Sequence, residues 1–250
     1  MLDLLSGFFK ELYDDTGLNF IIFYEQYEYD RFVEAIFVSL KLIVACLILS
    51  LIVGVVGAWA QGARSRIVRY AMAGYIQFFR NTPPLVQLLF FYFALGQFTP
   101  TYSPDGWLEI PIISNVGWAI ISLSFFAGAF NVEIFRAGIE AVPLSTREAA
   151  DSLGYTRLQT YLYVVFPLAL RVCLPSLNNN LVNLVKTTTQ AFAIAVPEML
   201  YQAVVIWNDF PSAQYPTMLL LFVIYILLVG VIVLSMNRWE RAMRIPGYGT

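Results

Sequence analysis

Apolar residues run along this chain in long blocks, not in the short alternations or one-sided stripes of a soluble domain. A helix crossing a hydrocarbon core about 30 Å thick needs about 20 mostly apolar residues. Five windows qualify: Ile36–Ala60, Tyr70–Gly96, Ile112–Phe135, Val172–Pro197 and Pro216–Asn237. The first four each hold a single charge, Lys41, Arg80, Glu133 and Lys186 respectively, and the last holds none. The second also contains the pair Pro83–Pro84. Backbone in lipid must satisfy its own hydrogen bonds, and windows of this length do so as helices. A sixth stretch, Gln159–Leu170, has 12 residues, too few to span, and is expected as a buried or interfacial helix. Near the start, Leu2, Leu5, Phe9 and Leu12 follow helical spacing. That segment reads either as a helix lying along the outer interface or as a frayed tail. It lacks the basic start and small-residue cleavage site of a signal peptide.

Composition sharpens this picture. Of 250 residues, 59% are hydrophobic and 13% charged, against about 25% charged in soluble domains. Such a chain is not a soluble enzyme, a disordered segment or a nucleic-acid binder. Aromatics reach 16%, which suits two lipid–water interfaces. Without His and with only two Cys, neither a His–Cys metal site, a Ser–His relay nor a disulfide framework is expected. Cys46 and Cys173 fall in apolar runs and read as small apolar residues. No GxxxxGK[ST] cradle occurs, so any nucleotide energy must come from a partner. No repeat of 20–50 residues and no matching pair of broken spans, the trace of an inverted-repeat carrier, is visible.

Basic residues set the orientation. Segments 61–69, 136–171 and 238–250 hold ten: Arg64, Arg66, Arg69, Arg136, Arg147, Arg157, Arg171, Arg238, Arg241 and Arg244. Segments 1–35, 98–111 and 198–215 hold two, Lys10 and Arg31. The expected fold is therefore an all-α integral membrane protein with five transmembrane helices, N-terminus outside and C-terminus inside. It divides into an outer N-terminal segment (1–31), a transmembrane domain (32–240) with a cytoplasmic loop at about 140–170, and a cytoplasmic tail (241–250).

That loop reads Ser145-Thr-Arg-Glu-Ala-Ala-Asp-Ser-Leu-Gly154-Tyr-Thr-Arg157 and continues to Val164-Val-Phe-Pro167. Ser145 or Thr146 is suited to cap a short helix with Glu148 near its positive end. Ala149 and Ala150 offer a face that another protein can approach closely, and Gly154 is placed to stop the helix in a left-handed turn. A capped surface helix linking two spans is the alternative reading.

Glu148-Ala149-Ala150, Gly154 and Pro167 resemble, in identity and spacing, the EAA loop of ABC importer permeases. Three more stretches are similar to segments of the polar amino-acid permeases: Phe78-Phe-Arg-Asn-Thr-Pro-Pro-Leu-Val-Gln87, Asn131-Val-Glu-Ile-Phe-Arg-Ala-Gly-Ile139 and Leu184-Val-Lys-Thr-Thr-Thr189. Ala35 and Ser39 stand where that family frequently has Gly and Thr. The resemblance implies a MetI-like fold and a subunit that is not itself an enzyme. It implies pairing as a homodimer or with a similar permease, and two cytoplasmic ATPase subunits that bind ATP and Mg. It further implies a periplasmic or lipid-anchored amino-acid-binding protein, and a place in the bacterial inner membrane. The EAA helix would sit in a cleft of the ATPase.

Polar residues inside the spans supply candidates for the cargo. Asn179, Asn183, Lys186 and Gln190 recur at i, i+4, i+7 and i+11, one helical stripe. The stripe reads as a translocation path or as a hydrogen-bonded seam between helices, and a charge at mid-bilayer favours the path. Lys186 suits the α-carboxylate common to amino acids. Gln190 sits one turn on, and Thr188 is placed with the path residues. Arg80, beside the proline pair, lines a cavity, snorkels or pairs across a dimer. Glu133 and Arg136 are spaced to pair with each other, and Lys41 can snorkel. With no unpaired carboxylate left in the spans, neutral or acidic amino acids are the expected cargo. An ion-coupled carrier and a non-transporting membrane subunit are the alternatives. The carrier would need a free membrane carboxylate, and ATP-driven against ion-driven uptake separates the readings.

Overall fold

The computed structural model describes residues 2–104 and 106–243. Its helices are α1 (Leu2–Thr16), α2 (Gln26–Gln61), α3 (Arg66–Asn81), α4 (Pro84–Leu89), α5 (Asn115–Glu140), α6 (Leu144–Ser152), α7 (Arg157–Gln159), α8 (Phe166–Thr187), α9 (Met199–Asp209) and α10 (Gln214–Met243). A short hairpin, β1 (Thr101–Tyr102) and β2 (Ile110–Pro111), pairs Thr101 with Pro111 and Tyr102 with Ile110, antiparallel.

Four helical runs are long and apolar enough to cross a membrane: Gln26–Gln61, Asn115–Glu140, Arg157–Ile194 and Pro211–Ala242. The expected span Tyr70–Gly96 is instead broken. The helix α3 ends at Asn81, Thr82 is extended (φ −114°, ψ 136°), and α4 starts at Pro84 and passes into a π turn (Phe90–Leu95) and a 3-10 turn (Gly96–Phe98). The cause is local. Pro83 disfavours helical geometry at Thr82, and Pro84 suits a first helical position, where its missing N–H removes no bond. Gln87, buried, bridges the break: its Nε2 donates to the carbonyls of Phe79 and Thr82, each at 2.8 Å.

The sixth stretch, expected as a separate short helix, also differs. Residues 157–194 form one helical run in which a π segment (Thr160–Val165) precedes α8 and a 3-10 segment (Thr188–Ile194) follows it. Arg171 therefore lies within a helix and marks no boundary. Helix α1 forms as its spacing predicts; Phe9 stacks on Phe23 with ring centroids 4.5 Å apart, which sets aside the frayed tail. Of the tail at 241–250, residues 244–250, including Arg244, lie outside the described residues.

The chain forms two compact units. One comprises Met1–Ala45, Leu88–Ile121 and Val185–Gly230; the other comprises Cys46–Gln87, Ser122–Leu184 and Val231–Thr250. In the first, Ile21, Ile22, Phe32, Ile206 and Ala213 make one core cluster, and Ala35, Met199, Ala203 and Leu221 another. In the second, Ala58, Ile76, Val132, Phe135, Cys173, Leu177 and Leu181 pack together. Cys46 and Cys173 are free and buried, as small apolar residues would be.

Within the second unit α2 and α5 lie close, because a methyl on Gly57 would land inside Val132 and one on Gly54 against Asn131. Small residues at such crossings replace the hydrophobic drive that lipid removes. A buried amide ladder reinforces the contact. Asn131 donates to the Ser50 carbonyl at 3.1 Å, and Asn180 donates to Asn131 at 2.8 Å and to the Ala127 carbonyl at 3.0 Å. Gly57→Leu is expected to overpack this crossing by about 1–3 kcal/mol, a melting point roughly 3–10 °C lower. Gly230→Leu, whose added side chain starts in open space, should melt like the unmodified protein. Equal melting of both variants would remove the packing argument.

Candidate functional site

The loop helix α6 is built largely as the sequence implies. Gly154 takes a left-handed conformation (φ 83°). Its N–H donates to the Asp151 carbonyl at 3.0 Å, and that of Tyr155 reaches the Ala150 carbonyl at 3.2 Å. This pair of bonds is a Schellman stop. The expected cap is absent: the helix starts at Leu144, so Ser145 and Thr146 fall within its first turn and the N-cap is Pro143, with no side-chain acceptor. Glu148 consequently lies in the second turn, away from the positive helix end.

Exposure divides the helix. Glu148 and Ala149 face solvent, whereas Ala150 is buried. The helix is tied down on both sides. Arg147 donates to the Ile139 carbonyl at 2.6 Å, and Thr160 donates to the Asp151 carboxylate at 3.1 Å. Val142, Val165 and Ala169 form a small core where the ends of the neighbouring helices meet the loop. Thr156 and Gln159 cap the next run reciprocally. Pro167 stands in the first turn of α8, directly after the π segment.

Sequence reasoning did not single out the apolar rim of this loop. Leu144, Leu153 and Leu158 are 68%, 79% and 67% exposed, and Tyr163 is 70% exposed. The signal was present, because each sits where the loop's polar composition left it without a core to join.

In the same unit, Glu133 gathers the charges of neighbouring helices. It accepts from Arg136 at 2.9 Å, as the i, i+3 spacing predicts, and from Gln61 at 2.9 Å. Arg136 also reaches Glu140 at 2.9 Å. Arg80 lies 3.9 Å from Glu133 and places its guanidinium over the Phe130 ring, 5.4 Å from the centroid. With Glu133, Arg136 and Ser176 it lines a cavity of about 380 Å³.

The path residues separate. Asn179, Asn183 and Lys186 are exposed on α8, and Lys186 makes no ion pair among the described residues. Thr188, by contrast, is buried and donates its hydroxyl to the Val185 carbonyl at 2.7 Å. Gln190 falls in the 3-10 segment, where the helix tightens to about three residues per turn. It therefore does not continue the α-helical stripe. Its shielded Oε1 has no hydrogen-bond partner among the described residues.

A further carboxylate, Glu198, was missed because its segment read as a loop between spans. It is buried and caps α9, accepting from the Tyr201 N–H at 2.9 Å and the Tyr225 hydroxyl at 3.0 Å. Ser39 accepts from the Met199 N–H at 3.0 Å. The spacing of Met199, Ala203 and Ile206, all fully buried, carried the signal. Among the described residues, no three His, Cys, Asp or Glu gather as a metal site would require.

The chain thus combines four helical runs of membrane-spanning length with a tethered, Schellman-stopped loop helix. The chain belongs to the family described as binding-protein-dependent transport system inner membrane components, whose profile matches residues 50–245. Members are permease subunits, and ATP hydrolysis resides on a separate subunit. The chain is 30% identical to a probable amino-acid permease protein, YxeN, of Bacillus subtilis (strain 168), over 86% of this chain and 92% of that one. It is 25% identical to the histidine/lysine/arginine/ornithine transport system permease protein HisM of Salmonella typhimurium, over 96% of both. The crystal structure of an amino acid ABC transporter with histidines superposes with a TM-score of 0.73, at 27% identity, over 86% of this chain and 94% of that one. The fold is MetI-like.

Proposed function

We infer that this chain is the permease subunit of an ATP-driven amino-acid importer in a bacterial inner membrane. It works as a homodimer or beside a similar permease, with two ATPase subunits that hold ATP and Mg and a periplasmic or lipid-anchored binding protein. The observation that carries this reading is the exposed, Schellman-stopped α6, with Glu148, Ala149, Leu144 and Leu153 open to a partner. Glu148, Ala149, Ala150, Gly154 and Pro167 form the coupling element. Co-expression with candidate ATPases and a binding protein in proteoliposomes tests it. Uptake that requires ATP inside the vesicle is expected, and uptake driven by an ion gradient without ATPase would overturn it.

The chain crosses the membrane five times, with α3 and α4 together making the second crossing, N-terminus outside and C-terminus inside. The division of basic residues between the two sets of segments, nine to two once Arg171 is set aside, supports this. A reporter active only in cytoplasm should work within 145–157 and after Thr250 and fail at the N-terminus. Activity at both termini would rule out five crossings.

Asn179, Asn183, Lys186, Thr188, Gln190 and Arg80 are the candidate residues for the cargo path. Neutral or acidic amino acids are the preferred cargo, since Glu133 is engaged by Arg136 and Gln61 and Glu198 by backbone and tyrosine donors. Neither carboxylate is left for a cationic side chain.

A further inference from the structure

We propose that the groove at the end of α2, in the second unit, binds the headgroup of an anionic glycerophospholipid. The groove encloses about 480 Å³ and is lined by Trp59, Gln61, Arg64, Arg136, Ile139 and Tyr161, among others. Its two ends differ in chemistry. Ala58 and Ile139 give an apolar floor suited to an acyl chain, Arg64 supplies positive charge, and Arg136 is paired with Glu140, which also lines the groove.

Both terminal nitrogens of Arg136 are already held by Glu133 and Glu140, which fixes the guanidinium, and Arg80, 3.9 Å from Glu133, supplies the second positive charge against the two carboxylates. Arg64 has no carboxylate partner among the described residues. Its backbone is nonetheless fixed, since Arg69 donates to the carbonyls of Ala63 at 2.8 Å and Arg64 at 3.1 Å.

The surroundings agree in sign. The segments of this unit carry eleven basic and five acidic residues, and every basic one is arginine. Arginine's planar fork fits phosphate oxygens where lysine offers a point charge. Trp59, 75% exposed, and Tyr161 flank the opening, the residue types that settle at headgroup level. The proposal rests on α2 being a span that ends at that level, and holds whichever side of the membrane this end faces.

The test uses the full chain purified with its accompanying subunits, placed in nanodiscs of phosphatidylcholine mixed with phosphatidylglycerol and analysed by native mass spectrometry. Retention of phosphatidylglycerol over phosphatidylcholine is expected. Arg64→Gln should weaken it about fivefold, as removing one basic residue from an anionic surface predicts. Arg238→Gln, an equal loss of charge on exposed α10, should leave it unchanged. Equal retention of both lipids, or wild-type retention in Arg64→Gln, would overturn the site. Displacement by millimolar inorganic phosphate would identify free phosphate as the ligand and overturn the lipid. Since no readout depends on uptake, failure here is separable from failure of the importer assignment.

Discussion

Gly154→Val is expected to abolish uptake while leaving the permease inserted and folded. Gly154 holds φ at 83°, a conformation that disfavours side chains by about 1–2 kcal/mol, with β-branched valine among the least tolerant. Open space surrounds the position, so the variant acts through the backbone and not through a clash. The Schellman bonds from Gly154 and Tyr155 would be lost, and the exposed Leu153 would be re-aimed. A change of that size is roughly tenfold in any docking equilibrium that needs the stop. Gly154→Asn, which tolerates the left-handed region, should keep most of the activity, and that contrast separates conformation from side-chain chemistry. Glu148→Ala should add to the defect. ATPase subunits should co-purify poorly with Gly154→Val or hydrolyse ATP without transport. Normal uptake by the double variant would refute a coupling role for this helix.

Changing the charge on the cargo path should change what is carried. Gln190→Glu adds one negative charge at nearly constant volume, on a side chain whose own Oε1 is shielded from solvent. Where water screens little, charge interactions strengthen, so the variant should gain affinity for Arg and lose it for Glu. Lys186→Ala should weaken transport of all substrates alike, because each shares the α-carboxylate. Competition uptake with Arg, Gln and Glu on both variants decides the matter. Unchanged preference in the first, with wild-type uptake in the second, would move the cargo site off this helix.

Long apolar runs made α2, α5 and α10 legible, because lipid imposes one solution on them. Local chemistry was harder to weigh. The pair Pro83–Pro84 was visible, yet whether it kinks or severs a helix depends on Gln87 reaching back to the freed carbonyls, a contact 5 and 8 residues away. The π segment before Pro167 and the 3-10 segment after Thr187 have no compositional mark, and together they decide which residues of α8 share a face. Thr188, at the start of that 3-10 segment, is buried where its neighbour Lys186 is exposed. The Gly154 stop was readable because a left-handed turn demands glycine locally. The Pro143 start was not, since Ser145 and Thr146 were equally good caps in sequence.

The uneven charge of the two units bears on symmetry. One set of segments carries twelve acidic and four basic residues, the other five and eleven. Passing even one arginine through the bilayer centre is unfavourable by about 2.5–3.5 kcal/mol or more, so a chain that has inserted one way round does not turn over. Under the proposed topology the bias of basic residues orients every copy alike at insertion, which disfavours two copies inserted head to tail. A pair of identical chains then shares a direction, and a twofold axis relating them runs along the membrane normal.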